Sequence, residues 1–278
     1  MAAHLPSGTV TFLFTDIEGS TKLAQQLRGS WETLRDRHAE ILRQAIEAHE
    51  GYLFEIVGDS FCVAFHKPVD ALLAALEGQR ALHAEAWGEA PLRVRMGIHT
   101  GVAEPEEHRY RGYLALSSVS RIMSVAHGGQ VLLSQSAYEL VESDLPDDVM
   151  LRDLGAHRLK DLRRGQHLYQ AVATDLPSEF PALKTLDALP HNLPVQLTSF
   201  IGRDREVDDL QDHFHRSRLI TLTGPGGTGK TRLALQTAAE VLDSFPDGAW
   251  LVELRALRIS FSIIASITVS CPSSCPPR

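Results

Sequence analysis

Two aspartates stand where apolar runs break into turns. Thr11-Phe-Leu-Phe-Thr-Asp16 reads as a strand ending on a carboxylate, followed by the turn Ile17-Glu-Gly and a helix start capped by Ser20 or Thr21. A second apolar run reaches Gly58-Asp59-Ser60 and turns straight back into Phe61-Cys-Val-Ala-Phe65. Two carboxylates at strand ends, each beside a turn, can hold divalent cations against a triphosphate. That is the arrangement for in-line displacement at phosphorus, with two ions roughly 4 Å apart. Exposed N–H groups at the helix start suit phosphate oxygens. A second phosphate-binding pattern comes late: Gly224-Pro-Gly-Gly-Thr-Gly-Lys-Thr231, the spacing G-x-x-x-x-G-K-T. Its backbone from Gly224 to Gly229 would cradle phosphates, with Lys230 reaching the β/γ-phosphates and Thr231 a Mg²⁺.

The elements that must carry these residues alternate. Strands are expected over 10–15, 52–57, 61–65, 92–99, 130–133, 150–154 and 167–173. Helical periodicity covers 21–27, 31–49, 69–85, 114–125 and 135–140, with Gly29 breaking the first stretch. Mixed strands and helices predict an α/β sandwich with a partly antiparallel sheet. From Asp175 to about 198 the chain changes: Pro177, Pro181, Pro190 and Pro194 punctuate it without a lasting period, which reads as a linker. Beyond it, a short helix, a strand over 219–222, the glycine-rich loop and a helix over 232–242 give the strand–loop–helix order a P-loop needs.

The chain has 278 residues, enough for two domains or one and part of another. Its net charge of −8 argues against a broad nucleic-acid-binding face. The local basic cluster Arg158, Lys160, Arg163 and Arg164 reads as a solvated face or an anion contact rather than a DNA patch. Three cysteines form no disulfide framework and fit a reducing cytoplasm. The longest apolar run of the tail, 259–271, is too short to span a bilayer.

The stretches Thr11–Thr21 and Gly58–Phe65, the strand Val94-Arg-Met-Gly-Ile-His-Thr-Gly101 and the run from Ser120 to Ser134 together resemble the class III nucleotidyl cyclases, over about residues 7–174. The resemblance implies a ferredoxin-like cyclase sandwich with a mixed, largely antiparallel sheet over residues 1–174. It implies conversion of ATP or GTP to a 3′,5′-cyclic nucleotide and pyrophosphate, with two Mg²⁺ or Mn²⁺ ions. Asp16 and Asp59 match the family's metal carboxylates, and Ile17 the carbonyl that completes a metal shell. Arg121 matches the arginine that stabilises the transition state, and Lys160 a phosphate contact. It also implies a homodimer with sites shared across a two-fold interface. His99 is read as structural.

The base-selecting and ribose positions depart from the family. Where adenylyl cyclases carry Lys and an acid, this chain has Glu55 and Arg109. The swap preserves a possible salt bridge but changes the donors shown to a base. Ionised Glu can accept from guanine N1–H and N2–H₂, which points towards GTP, while a pocket that no longer reads a base is the other reading. The ribose-orienting Asn is replaced by Leu116 or Ser117, depending on how a one-residue shift after Gly112 is counted. A cyclase that has become a nucleotide-sensing regulatory module is therefore the competing expectation.

With Phe200-Ile-Gly-Arg203 ahead of it, residues 199–257 resemble the start of a signal-transduction ATPase fused to bacterial regulators. The pattern fails after Glu253. The serine-rich tail over 258–278 matches nothing before it and reads as a frame change or a low-complexity end. So short a segment is not expected to complete an active ATPase.

Overall fold

The structure is a computed structural model. It describes residues 5–27, 29–88, 91–107, 109–159, 165–185, 192–194, 203–214, 216–217, 219–241, 245, 249–253 and 265–269. Lys160 and the residues 200–202 ahead of Arg203 lie outside them. The chain divides into two compact units: Met1–His157 with Gln166–Leu183, and Arg158–Gly165 with Lys184–Arg278.

The first unit runs β1 (Gly8–Ile17), α1 (Ser20–Gln26), α2 (Trp31–Ala48), β2 (Tyr52–Val57), β3 (Ser60–Phe65), α3 (Pro68–Ala84), β4 (Val94–Glu106), β5 (Arg109–Arg111), α4 (Tyr113–Val125), β6 (Val131–Ser134), α5 (Gln135–Val141), β7 (Val149–His157) and β8 (Gln166–Ala173). The sheet order is β2-β3-β1-β4-β6-β8-β7, with β5 folded back on β4. All its pairings are antiparallel except β4 with β6. This is the mixed, largely antiparallel sheet expected.

The central strand β1 is buried on both faces, so its alternation divides the core. Leu13 and Ile17 face a cluster with Ile41, Leu42, Phe61, Leu72 and Ile98. Val10 and Phe12 face a smaller one with Tyr110, Ala115 and Val119. Helix α4 follows from apolar residues spaced three and four apart: Ala115, Val119, Ile122 and Met123 are buried. Its seat on β4 is close, since a Cβ on Gly97 would lie 2.6 Å from the Met123 nitrogen.

Two expectations need correction in this unit. The N-cap of α1 is Gly19, at φ 72°, and no side chain caps the helix. Residues 175–183 are not free linker. Asp175 accepts from Arg80 Nε at 2.7 Å, and the Ser178 carbonyl accepts from Arg152 and Gln170 at 3.1 and 2.8 Å. The prolines suggested an extended segment, but polar groups of the sheet and α3 hold it down.

The second unit holds α6 (Asp204–Phe214), α7 (Lys230–Val241), β9 (Ala249–Glu253) and β10 (Ala265–Val269), the two strands pairing antiparallel. The strand expected over 219–222 is not formed, and Leu219 is exposed. A parallel strand needs neighbours to complete its ladder, and among the described residues none is supplied there. The loop ahead of α7 has three glycines at positive φ, Gly224, Gly227 and Gly229, which admits the tight curl without Cβ strain. Lys230 Nζ donates to the carbonyls of Gly224 and Pro225 at 2.9 and 2.6 Å. Arg203 Nη1 donates to the Thr228 carbonyl at 3.0 Å.

Candidate active site

Asp16 stands near the end of β1, and Asp59 in the two-residue loop between β2 and β3. Gly58 takes φ 64° in that loop, as tight hairpins require of a central residue. The loop brings the two carboxylates to one corner. The Ile17 N–H donates to Asp59 Oδ2 at 3.0 Å, and the Ser60 hydroxyl donates to Asp16 Oδ1 at 2.6 Å. Burial raises the Asp59 carboxyl above its ordinary value; the Ile17 N–H opposes this, the Asp16 charge adds to it, and the Ser20 hydroxyl opposes it. An open cavity of about 560 Å³ adjoins Asp59, lined by Ser20, Thr21, Ala24, Gln25 and Trp31.

Arg95 was not singled out from the sequence. It is the cross-strand partner of Asp16 in the β1–β4 register. Its Nε and Nη2 donate to Asp16 Oδ2 at 2.9 and 2.6 Å, and its Nη1 to the Ser124 carbonyl of α4 at 3.0 Å. An arginine in an apolar strand reads as a solvent-facing residue. Only the register, which sets Val94–Arg95 against Ile17–Asp16, reveals it as the counter-ion.

The oxygen donor set suits a hard cation such as Mg²⁺ or Mn²⁺. Among the described residues no cluster of three or more His, Cys, Asp or Glu side chains is gathered. An ion here would therefore rest on Asp16, Asp59 and the Ile17 carbonyl, with substrate and water oxygens filling its shell. Two crowded carboxylates, one already pushed towards protonation by burial, are a pair that a divalent cation relieves. The residues fit the group.

Glu55 and Arg109 are brought together: Arg109 Nη2 lies 3.2 Å from Glu55 Oε1. A bulge makes this possible. Leu53 pairs with Val63 but Glu55 pairs with Cys62, one residue out of step. Leu53 packs towards the larger core cluster, whereas the extra residue turns Glu55 onto the opposite face, the one that carries Asp16. Next to the pair, Phe54 and Tyr110 meet edge to face at 5.0 Å. Arg109 is 76% exposed, so the ion pair contributes little to stability, about 0–1 kcal/mol.

Leu116 packs against the smaller core cluster, and Ser117 is half-buried on the same helix. Arg121 is half-buried one turn before Ser124, whose hydroxyl donates to the Arg121 carbonyl at 2.8 Å. His99 is half-buried: its Nδ1 lies 2.9 Å from the Ser134 hydroxyl, and desolvation lowers its pKa to about 4. No helix of the described residues is long and apolar enough to cross a membrane.

Comparisons with known proteins bear on the family and the fold. An uncharacterized protein of Mycobacterium tuberculosis is 37% identical over 205 residues, 73% of this chain and 70% of that one. The receptor-type adenylate cyclase GRESAG 4.3 of Trypanosoma brucei is 29% identical over 212 residues, which are 60% of this chain and 17% of that protein. A solved Trypanosoma brucei adenylate cyclase, described in its monomeric state, superposes with a TM-score of 0.58 at 28% identity, covering 66% of this chain and 95% of that one. The family described as the adenylate and guanylate cyclase catalytic domain matches residues 3–170, so this chain belongs to that family.

Proposed function

We propose that the first unit is a nucleotidyl cyclase that turns ATP or GTP into a 3′,5′-cyclic nucleotide and pyrophosphate. The observation that carries the reading is the pairing of Asp16 and Asp59 at one corner, with Arg95 held against Asp16. A bound pair of divalent cations would supply Lewis acidity at the α-phosphorus and neutralise charge on the leaving group. Asp16, Asp59 and the Ile17 carbonyl would hold that charge in place. Arg95 holds Asp16 in place from the neighbouring strand, and its guanidinium would offer donors to phosphate oxygens beside the cations. Arg121 stabilises charge developing in the transition state, and Lys160 contacts phosphate. The ribose 3′-hydroxyl gives its proton to water as its oxygen attacks the α-phosphorus, and the bond from the α-phosphorus to the bridging oxygen breaks, releasing pyrophosphate.

The second unit, in the same reading, binds nucleotide phosphate at Gly224–Thr231. Lys230, which now donates to its own loop carbonyls, would turn to the β/γ-phosphates. The active form of the cyclase unit is a homodimer.

A second reading is a module that binds nucleotide without turnover. Leu116 favours it, because it packs into the core and offers the ribose no hydrogen bond. Cyclic nucleotide formation from ATP and from GTP, measured in Mg²⁺ and in Mn²⁺, separates the two. The cyclase reading expects slow, Mn²⁺-favoured turnover that Asp59→Ala abolishes. Nucleotide binding without product in every condition would establish the second.

A further inference from the structure

We infer that residues 175–183, just ahead of the connection to the second unit, position the carboxylate corner through the turn His127–Gly129 and the side chain of Glu18. The inference rests on the metal reading of Asp16 and Asp59 and adds residues to it.

The physical path is continuous. Phe180 lies parallel to the His127 ring, 6.4 Å between centroids and 8° between planes. The His127 ring nitrogen Nε2 is 3.0 Å from the Ala182 carbonyl, to which it donates. Gly129, at φ 93°, lets the turn pass under Phe180: a Cβ there would already touch that ring at 3.8 Å. The turn is tied back to the sheet on its other side. The Gly129 N–H donates to the Val94 carbonyl at 2.8 Å. The Gly128 N–H donates to Glu18 Oε2 at 3.1 Å, and the Glu18 N–H to the Arg93 carbonyl at 2.9 Å. Glu18 follows Ile17, whose N–H holds Asp59.

A parallel link runs below it. The buried amides of Gln130 and Gln170 bond at 2.8 Å. Gln130 Oε1 accepts from the His127 N–H at 3.0 Å, and Gln170 donates to the Ser178 carbonyl at 2.8 Å. Both glutamines are 2% exposed, so their amide groups have lost water and must keep their partners. Displacing the segment therefore strains the turn through these amides. The part assigned to Glu18 is positional: it fixes the backbone that presents the Ile17 carbonyl. Support of this kind, one bond removed from a ligand, ordinarily accounts for roughly tenfold or more in metal affinity.

The test uses the full chain. Mn²⁺ affinity is read from the electron paramagnetic resonance of free Mn²⁺, amide hydrogen exchange over 16–19 and 127–130 by mass spectrometry, and stability from thermal unfolding. Glu18→Ala should weaken Mn²⁺ binding roughly tenfold. Glu18→Gln should restore it, because an amide oxygen still accepts from Gly128 N–H. Phe180→Ala should speed exchange at 127–130 and at 16–19 alike. Phe180→Leu, which keeps volume and removes the ring stack, guards against simple unfolding and should do the same more mildly. Unchanged exchange at 16–19 in both Phe180 variants would overturn the coupling. Glu18→Gln as weak as Glu18→Ala would overturn the hydrogen-bond role of Glu18. If the wild-type chain binds no Mn²⁺, the metal reading fails, and exchange at 16–19 alone decides whether the segment holds the corner.

Discussion

Arg95 is the residue on which the carboxylate corner balances. It satisfies Asp16 from the neighbouring strand and reaches α4 with its remaining donor. Among the described residues, removing it leaves Asp16 beside Asp59 with the Ser60 hydroxyl as its hydrogen-bond partner. Arg95→Ala should therefore cost about 1–3 kcal/mol in metal-free buffer, from the lost charge-assisted hydrogen bonds. Mn²⁺ should restore more stability to the variant than it adds to the wild type, because the cation replaces the missing charge. Denaturant unfolding with chelator and with Mn²⁺ checks this; equal gains in the two proteins would remove the corner as the ion's site. At this scale the sequence told much and missed much. Asp16 and Asp59 were legible only as a pair: either alone reads as a turn or cap residue, and it is two carboxylates in matching strand-end turns that point to a cation. Arg95 was not, since its partner is set by the β1–β4 register and not by local spacing. The face of Glu55 was not either, because a one-residue bulge leaves no mark in composition.

At the scale of elements, the helix and strand periods were read correctly through the first unit. The boundaries slipped at the ends: β4 runs on to Glu106 and returns as β5, which places Arg109 against Glu55. The docked segment after β8 was read as linker because its anchors, Arg80, Arg152 and His127, lie far away in the sequence. Two element-level predictions follow from the packing. Gly97→Ala should be strongly destabilising, since the new methyl meets α4 backbone that cannot yield as a flexible side chain would. Overpacking of this kind costs about 1–3 kcal/mol, and α4 should shift together with Arg121, which a lowered unfolding midpoint and lost turnover would report. The second prediction concerns acid. His38 on α2 is fully buried, packs edge to face on Phe61 at 5.8 Å, and finds no hydrogen bond for either ring nitrogen among the described residues. Desolvation lowers its pKa to about 4, as it does for His99. The unfolded chain takes up these protons near pH 6.5 and the folded chain only near pH 4. Their stabilisation is thus full above pH 6.5 and lost as pH falls towards 4. By pH 5 each histidine should have cost about 2 kcal/mol. Urea unfolding at pH 7.5 and pH 5 measures the sum, and His38→Leu should flatten the profile; a variant as acid-sensitive as the wild type would show that His38 contributes nothing to it.

For the whole molecule, the question is whether one chain holds a complete site. The carboxylate corner and Arg121 share a chain, and Arg95 ties Asp16 to the Ser124 carbonyl, one turn of α4 beyond Arg121. A self-contained site would use that link directly. The surface argues for a second copy instead. Ile56 and Val57 are 40% and 60% exposed at the end of β2, and Tyr113 and Leu114 are 73% and 76% exposed where α4 begins. Large apolar groups at both edges of the region that carries the site are what a two-fold interface covers. Leu114→Asp should shift the chain from dimer to monomer in sedimentation and abolish turnover while leaving the unfolding midpoint of the first unit nearly unchanged. Complementation then decides how the site is divided. Asp16→Ala and Arg121→Ala should each be inactive alone. If every site takes its carboxylates from one chain and its arginine from the other, half of the dimers in an equal mixture are mixed, and each mixed dimer keeps one of two sites. The mixture should recover about a quarter of wild-type turnover. No recovery in a mixture shown to exchange subunits would mean that Asp16 and Arg121 serve one site within a single chain, and that the apolar edges pair copies for some purpose other than catalysis.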